Sequence, residues 1–133
     1  IALVILDKEN HQLQFAGANN PLYVIREQKI IQVKADRFSI GRHFGNNNKR
    51  FTNNKFDLQG DDMVYLFSVG YADQIGGLQK NEKFMYNRFR EVLLKIAMEK
   101  TENQKSILNK TFENWKGNVE QLDDILIIGF KST

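Results

Sequence analysis

Met63-Val64-Tyr65-Leu66-Phe67-Ser68-Val69-Gly70 is the stretch on which the reading of this chain turns. It is an apolar run rich in β-formers, which reads as a buried strand, and Gly70 marks where a loop begins. Upstream, Gln59-Gly60-Asp61-Asp62 makes a turn, and Phe51 to Leu58 alternates around Phe56 and Leu58 as an edge strand. Residues 36–54 are irregular, and Asn46-Asn47-Asn48-Lys49-Arg50 has too little apolar content for a core, so a surface loop is expected there. Further back, Leu22-Tyr23-Val24-Ile25-Arg26 and Ile30-Ile31-Gln32-Val33-Lys34 flank Glu27-Gln28-Lys29, a length common in β-hairpins. Leu13 and Phe15 alternate with Gln12, Gln14 and Ala16, and Gly17 to Asn20 supplies loop chemistry before Pro21. Ile1 to Leu6 is a continuous apolar run, read as a strand buried on both faces, with Asp7-Lys8-Glu9-Asn10 as the turn after it.

Downstream of Gly76-Gly77 the apolar period changes from two to 3.6. Met85, Phe89, Val92, Leu93, Ile96 and Ala97 share a helical face opposite Lys83, Arg90, Glu91 and Lys95, with Asn81 as the expected N-cap. Thr101 with Gln104 fits a capping box for a second helix. Its stripe is Ile107, Leu108, Thr111, Phe112 and Trp115, and Gly117 is its stop. Ile125-Leu126-Ile127-Ile128 is the last buried strand, entered from Asp123-Asp124. Strands, two helices and a closing strand predict an α+β sandwich with helices against one sheet.

The chain has 133 residues, enough for one domain or part of one. It opens at Ile1, without methionine and already inside a strand, which reads as a cut end. Nineteen basic against sixteen acidic residues give a net charge of +3 with no basic cluster, so no nucleic-acid footprint is expected. The absence of cysteine excludes disulfides, thiolate metal sites and a thiol nucleophile. No apolar run approaches the ~20 residues that span a bilayer, so this segment is expected to make no membrane contact and to work in the cytoplasm.

Two places carry polar groups at the mouth of a buried strand. Adjacent carboxylates at Asp123-Asp124 suit a hard, oxygen-liganded cation such as Mg²⁺ or Mn²⁺, although a solvated acidic turn has the same sequence. The other place is Phe67-Ser68-Val69-Gly70-Tyr71-Ala72-Asp73. Ser68 lacks a histidine partner and the Gly-x-Ser-x-Gly context of a hydrolase nucleophile. His11 and His43 stand apart in polar segments, and neither Gly76-Gly77 nor Gly41-Arg42-His43-Phe44-Gly45 matches a phosphate-cradling loop.

Four segments in order together resemble one family, the PPM-type metal-dependent serine/threonine phosphatases of the bacterial SpoIIE and RsbU branch. Ala16-Gly17-Ala18-Asn19-Asn20-Pro21-Leu22-Tyr23 resembles the family's Gly-x-Asn-x-Pro-Leu hairpin, and Phe38-Ser39-Ile40-Gly41 its Pro-Leu-Gly turn. Gly60-Asp61 through Ser68-Val69-Gly70 is similar to its Gly-Asp strand leading to Ser/Thr-Asp-Gly, and Leu122-Asp123-Asp124-Ile125-Leu126-Ile127 to its closing Asp-Asp strand. The resemblance implies a PPM-phosphatase-like β-sandwich with flanking helices. It also implies two Mn²⁺ or Mg²⁺ ions between the sheets and a bridging water that attacks phosphoserine or phosphothreonine. Residues 1–133 would be the C-terminal portion of one such domain, with its N-terminal part missing.

The departures from the pattern are specific. The family's early Asp-Gly ligand has no counterpart, and its middle ligand position is Val69, a hydrocarbon expected on a strand among apolar neighbours. Of the ligands only Asp123 survives, with Asp124 beside it. One carboxylate pair cannot hold two divalent cations against the cost of stripping their water, so at most one weakly held cation and no intact catalytic set are expected. Ser68, Gly70 and Asp73 would line a groove for substrate or partner. The function implied is part of a phosphatase acting on a phosphorylated regulatory protein in bacterial signalling, below an upstream sensor module that could itself be membrane-bound. The alternative is a non-catalytic pseudophosphatase binding module. Association with another copy, or a rearranged edge, is expected to cover the apolar faces of Ile1 to Leu6 and the facing sheet.

Overall fold

A computed structural model describes residues 1–41, 49–79 and 81–132. The elements in order are β1 (Ala2–Asp7), β2 (Gln12–Gly17), β3 (Leu22–Arg26), β4 (Lys29–Val33), β5 (Asn54–Asp57) and β6 (Met63–Phe67). They continue as α1 (Gly70–Asp73), β7 (Ile75–Gly76), β8 (Glu82–Lys83), α2 (Met85–Ile96), α3 (Thr101–Lys116) and β9 (Ile127–Lys131). His43, most of the asparagine-rich loop and the Gly41–Gly45 glycine pattern beyond Gly41 lie outside the described residues.

Two antiparallel sheets form the sandwich, one ordered β1-β2-β5 and the other β4-β3-β6-β9. β6 is interior to the second sheet, and its pleat explains its unbroken apolar run. Val64 and Leu66 face the first sheet, where they join Leu13, Phe15, Leu22 and Val24. Met63, Tyr65 and Phe67 face the helices, where they meet Phe89, Leu93 and Phe112. The Phe67 ring lies 4.7 Å from that of Tyr23 and 5.0 Å from that of Phe89. Each such side chain taken out of water stabilises the fold by about 1.5–3 kcal/mol. The β3–β4 hairpin turns on Glu27 and Gln28 alone, both at positive φ (47° and 58°), while Lys29 already pairs with Arg26.

Several local expectations are corrected. β1 is covered on one face only: Ala2 and Val4 join the inter-sheet core, but Leu3 and Ile5 are 59% and 57% exposed. It pairs with β2 and, among the described residues, with no other strand. β9 begins at Ile127 and is an edge strand, leaving Leu126 and Ile128 exposed. Helix α2 takes Phe84, not Asn81, as its N-cap, and buried Phe84 anchors that end by packing edge-on against Tyr71 and Trp115. No capping box forms at Thr101. The Gln104 amide is buried instead, accepting the Tyr65 hydroxyl (2.7 Å) and donating to the Glu99 carbonyl (2.9 Å). A buried phenol needs an acceptor, and that demand outweighs a local cap. Gly117 ends α3 at φ 54°, as expected.

Candidate functional site

The end of β6, the short α1 and the irregular chain leading into β9 come together at one end of the helix-covered sheet. β6 stops at Phe67, and Ser68 carries its pairing on: its N–H donates to the Leu126 carbonyl at 2.9 Å. The Ser68 hydroxyl donates to the Asp124 carbonyl and accepts the Leu126 N–H, both at 2.9 Å. Those bonds occupy it as a main-chain strut.

Val69 is not on a strand. It is the N-cap of α1 (φ −73°, ψ −21°), its carbonyl accepts the Asp73 N–H at 3.0 Å, and it belongs to neither apolar cluster. Val69 is half-buried, and along the chain it stands between the strut at Ser68 and the close approach at Gly70. There the Asp124 carbonyl oxygen comes so near the Gly70 α-carbon that a β-carbon would lie 2.5 Å from it. Ser68, Val69 and Gly70 therefore stand against the turn that carries Asp123 and Asp124.

Both carboxylates of that turn are exposed, and Asp123 Oδ1 accepts the Asp124 N–H at 2.8 Å. Asp73 is turned elsewhere, its Oδ1 3.0 Å from Lys83 Nζ, and both side chains are about half exposed. Burial first, and the Asp73 carboxylate second, push the Tyr86 phenol above its ordinary value, which puts that ring within the field of Asp73. His11 lies in the exposed β1–β2 turn of the other sheet at φ 50°.

One residue of this neighbourhood has no signal in the sequence pattern. Gln74, the C-cap of α1, is fully buried and bonds through its side chain to Ile75, Glu120 and Leu122. In sequence it reads as one more polar residue of a loop. Two of its three partners, Glu120 and Leu122, lie 46 and 48 positions away, beyond any local motif.

The site does not fit a pair of divalent cations. Among the described residues no three His, Asp or Glu side chains are placed to hold a metal ion. Val69 offers only carbon and hydrogen where the resemblance puts an oxygen ligand. The acidic pair supplies charge and hydrogen-bond acceptors at one end of the sheet.

No known family profile matches the sequence, and no curated protein matches it. Solved structures do. The fold is that of PPM-type (PP2C) phosphatase domains of the SpoIIE/RsbU-like branch. The SiaA-PP2C domain of Pseudomonas aeruginosa matches with a TM-score of 0.88 at 29% identity, covering 98% of this chain and 50% of that one. The phosphatase domain of the cell fate determinant SpoIIE from Bacillus subtilis matches with a TM-score of 0.70 at 12% identity, over 99% of this chain and 57% of that one. The RsbU and RsbW domains of Rv1364c from Mycobacterium tuberculosis give 0.67 at 16%, over 98% and 35%. The chain thus spans about half the length of the SiaA and SpoIIE domains. No helix among the described residues is long and apolar enough to cross a membrane.

Proposed function

We propose that this chain is the C-terminal portion of a protein serine/threonine phosphatase domain, and that its 133 residues do not hydrolyse phosphate on their own. The observation that carries the reading is the Asp123–Asp124 turn, fixed against Ser68 and Gly70 on a fold that matches the SiaA-PP2C domain, with Val69 between them. In a whole domain of this kind the acidic turn would contribute Asp123, with Asp124 beside it, to a Mn²⁺ or Mg²⁺ centre. The substrate class is a phosphorylated regulatory protein of bacterial signalling, and a cytoplasmic setting beneath a sensor module follows from the same resemblance. Rv1364c, in which RsbU and RsbW domains occur together, supports a regulatory context.

The second reading is a pseudophosphatase, a binding module that keeps the scaffold without hydrolysis. Val69 favours it, because no rotamer of valine presents a lone pair.

A chimera separates the two. This chain replaces the matching part of the SiaA-PP2C domain, and the product is assayed with Mn²⁺ on an aryl phosphate, with Val69 and with Val69→Asp. Activity at least about 100-fold higher in the aspartate form supports a phosphatase scaffold silenced at one ligand. Equal activity in both removes Val69 from any metal site. A folded chimera inactive in both forms leaves the binding module.

A further inference from the structure

Residues 120–126 carry Asp123 and Asp124 yet form neither helix nor strand. Two side chains hold this segment in place, one at each end, and both come from the stretch around α1. Ser68 takes the far end through Asp124 and Leu126. Gln74 takes the near end: its Nε2 donates to the Ile75 carbonyl (2.9 Å) and the Glu120 carbonyl (3.0 Å), and its Oε1 accepts the Leu122 N–H (3.2 Å).

The Gln74 amide is fully buried, and its three side-chain bonds all go to main chain. Among uncharged side chains only a primary amide offers two N–H donors and a carbonyl acceptor together, so neither methionine nor leucine of similar volume can replace it. Its own post is rigid. The Gln74 carbonyl accepts the Trp115 indole N–H at 3.1 Å and the Phe84 N–H at 2.9 Å, tying it to α3 and to the start of α2.

We propose that Gln74 is the positioning residue of the candidate site. Its amide, working with Ser68, fixes the main chain on both sides of Asp123 and so sets where the acidic pair points. The role rests on reading the Asp123–Asp124 turn as the site. None of the bonds involved uses a carboxylate or a cation, so the turn keeps its shape with no metal bound, and Val69 is held beside it whether or not it can ligate. Substitution at residue 69 then changes the chemistry of the site without moving its frame.

Amide exchange on the 133-residue chain, read by NMR, tests this. In the wild-type chain the Leu122 amide is expected to exchange at least about 10-fold more slowly than in an unstructured peptide, unchanged by EDTA. Gln74→Met should accelerate it by about 10-fold or more while Tyr65 in β6 stays within about 2-fold, and should shift the Asp123 and Asp124 amide resonances. That confinement is the signature a merely structural role would not give. Random-coil exchange at Leu122 in the wild type, a change on adding EDTA, or equal acceleration of Leu122 and Tyr65 overturns the proposal. If Gln74→Met does not fold, the wild-type measurement and Ser68→Ala, read at the Leu126 amide, decide it in the same way. The outcomes are independent of the chimera assay: a folded chimera inactive in both forms with Leu122 still protected removes the metal-site reading of the turn, and activity in the aspartate form with Leu122 unprotected removes only the role of Gln74.

Discussion

The carbonyl oxygen of Asp124 lies where a side chain at residue 70 would begin, 2.5 Å from an ideal β-carbon on Gly70. Gly70 is therefore required by a close approach of two chain segments. Gly70→Ala must push the acidic turn away from α1 or distort the N-terminus of that helix. Overpacking of this kind costs about 1–3 kcal/mol. The expected result is a lowered denaturation midpoint together with faster exchange at Leu126, whose N–H is bonded to the Ser68 hydroxyl in the same contact. A neutral Gly70→Ala variant with an undisturbed Leu126 amide would mean that the turn is not pressed against α1.

A second contact joins the two sheets at their other end. The Asp62 carboxylate is 1% exposed and accepts Arg26 Nε at 2.9 Å, Arg26 Nη2 at 2.7 Å and the Gln59 N–H at 2.9 Å. The same guanidinium donates to the Asp57 carbonyl at 2.9 Å and lies 5.3 Å from the centre of the Phe56 ring, so it bridges from β3 to β5. The bond to Asp62 raises the Arg26 pKa further above its ordinary value. Asp62→Ala leaves that cation without its partner and the Gln59 N–H without an acceptor. The expected cost is about 3 kcal/mol, at the low end for a buried pair because Arg26 is 22% exposed and partly screened by water. Urea titration measures it, and a loss below about 1 kcal/mol would place the pair among ordinary surface ion pairs.

These contacts show which features a sequence can carry. β6 was legible because an unbroken run of large β-formers has few places to go except between two layers, and Phe89 and Leu93 in α2, like Leu108 and Phe112 in α3, were legible because helical spacing puts each pair on one stripe of its helix. The acidic turn was legible through its motif. Periodicity records which residues are apolar and says nothing of what covers them, so Ile1 to Leu6 read as doubly buried when one face of β1 is open. The backbone at Val69 was misread because its apolar side chain continues the strand pattern two residues past the strand's end. Gln74 and Gln104 were missed or misassigned for one shared reason. A buried amide is defined by its partners, and the Tyr65 hydroxyl and the Leu122 N–H are far away in sequence.

The phenols under the helices give the fold a pH limit. Tyr65 donates to Gln104 Oε1 at 2.7 Å and Tyr71 to the Leu108 carbonyl at 2.8 Å, and burial pushes both well above the ordinary phenol pKa. Both stay protonated in the folded chain, while in the unfolded chain they ionise near pH 10. Above that pH the unfolded state binds fewer protons, so stability falls as pH rises, by about 2.7 kcal/mol per unit for the two groups together. Below about pH 10 the contribution is fully present. Tyr71→Phe is expected to make the alkaline slope shallower by about 1.4 kcal/mol per unit, at the cost of about 1 kcal/mol at neutral pH from the lost hydrogen bond. Urea titrations across the alkaline range check this, and a stability flat through about pH 11 would show that neither phenol is held from water.

The open face of β1 has a consequence for the isolated chain. Its outer edge carries no proline, no bulge and no charge before Asp7, and its register with β2 is continuous from Ala2↔Gly17 to Asp7↔Gln12. Nothing in the strand itself therefore blocks pairing with another strand. Leu3 and Ile5 add apolar surface on the same side, and covering each would contribute about 1.5–3 kcal/mol. The expected behaviour is concentration-dependent association, visible as a rising weight-average mass in sedimentation. Leu3→Lys combined with Ile5→Lys should abolish it while leaving the fold intact, because Ala2 and Val4, which face the core, are untouched. A wild-type chain that stays monomeric across the concentration series would mean that the edge is protected by something other than its own strand.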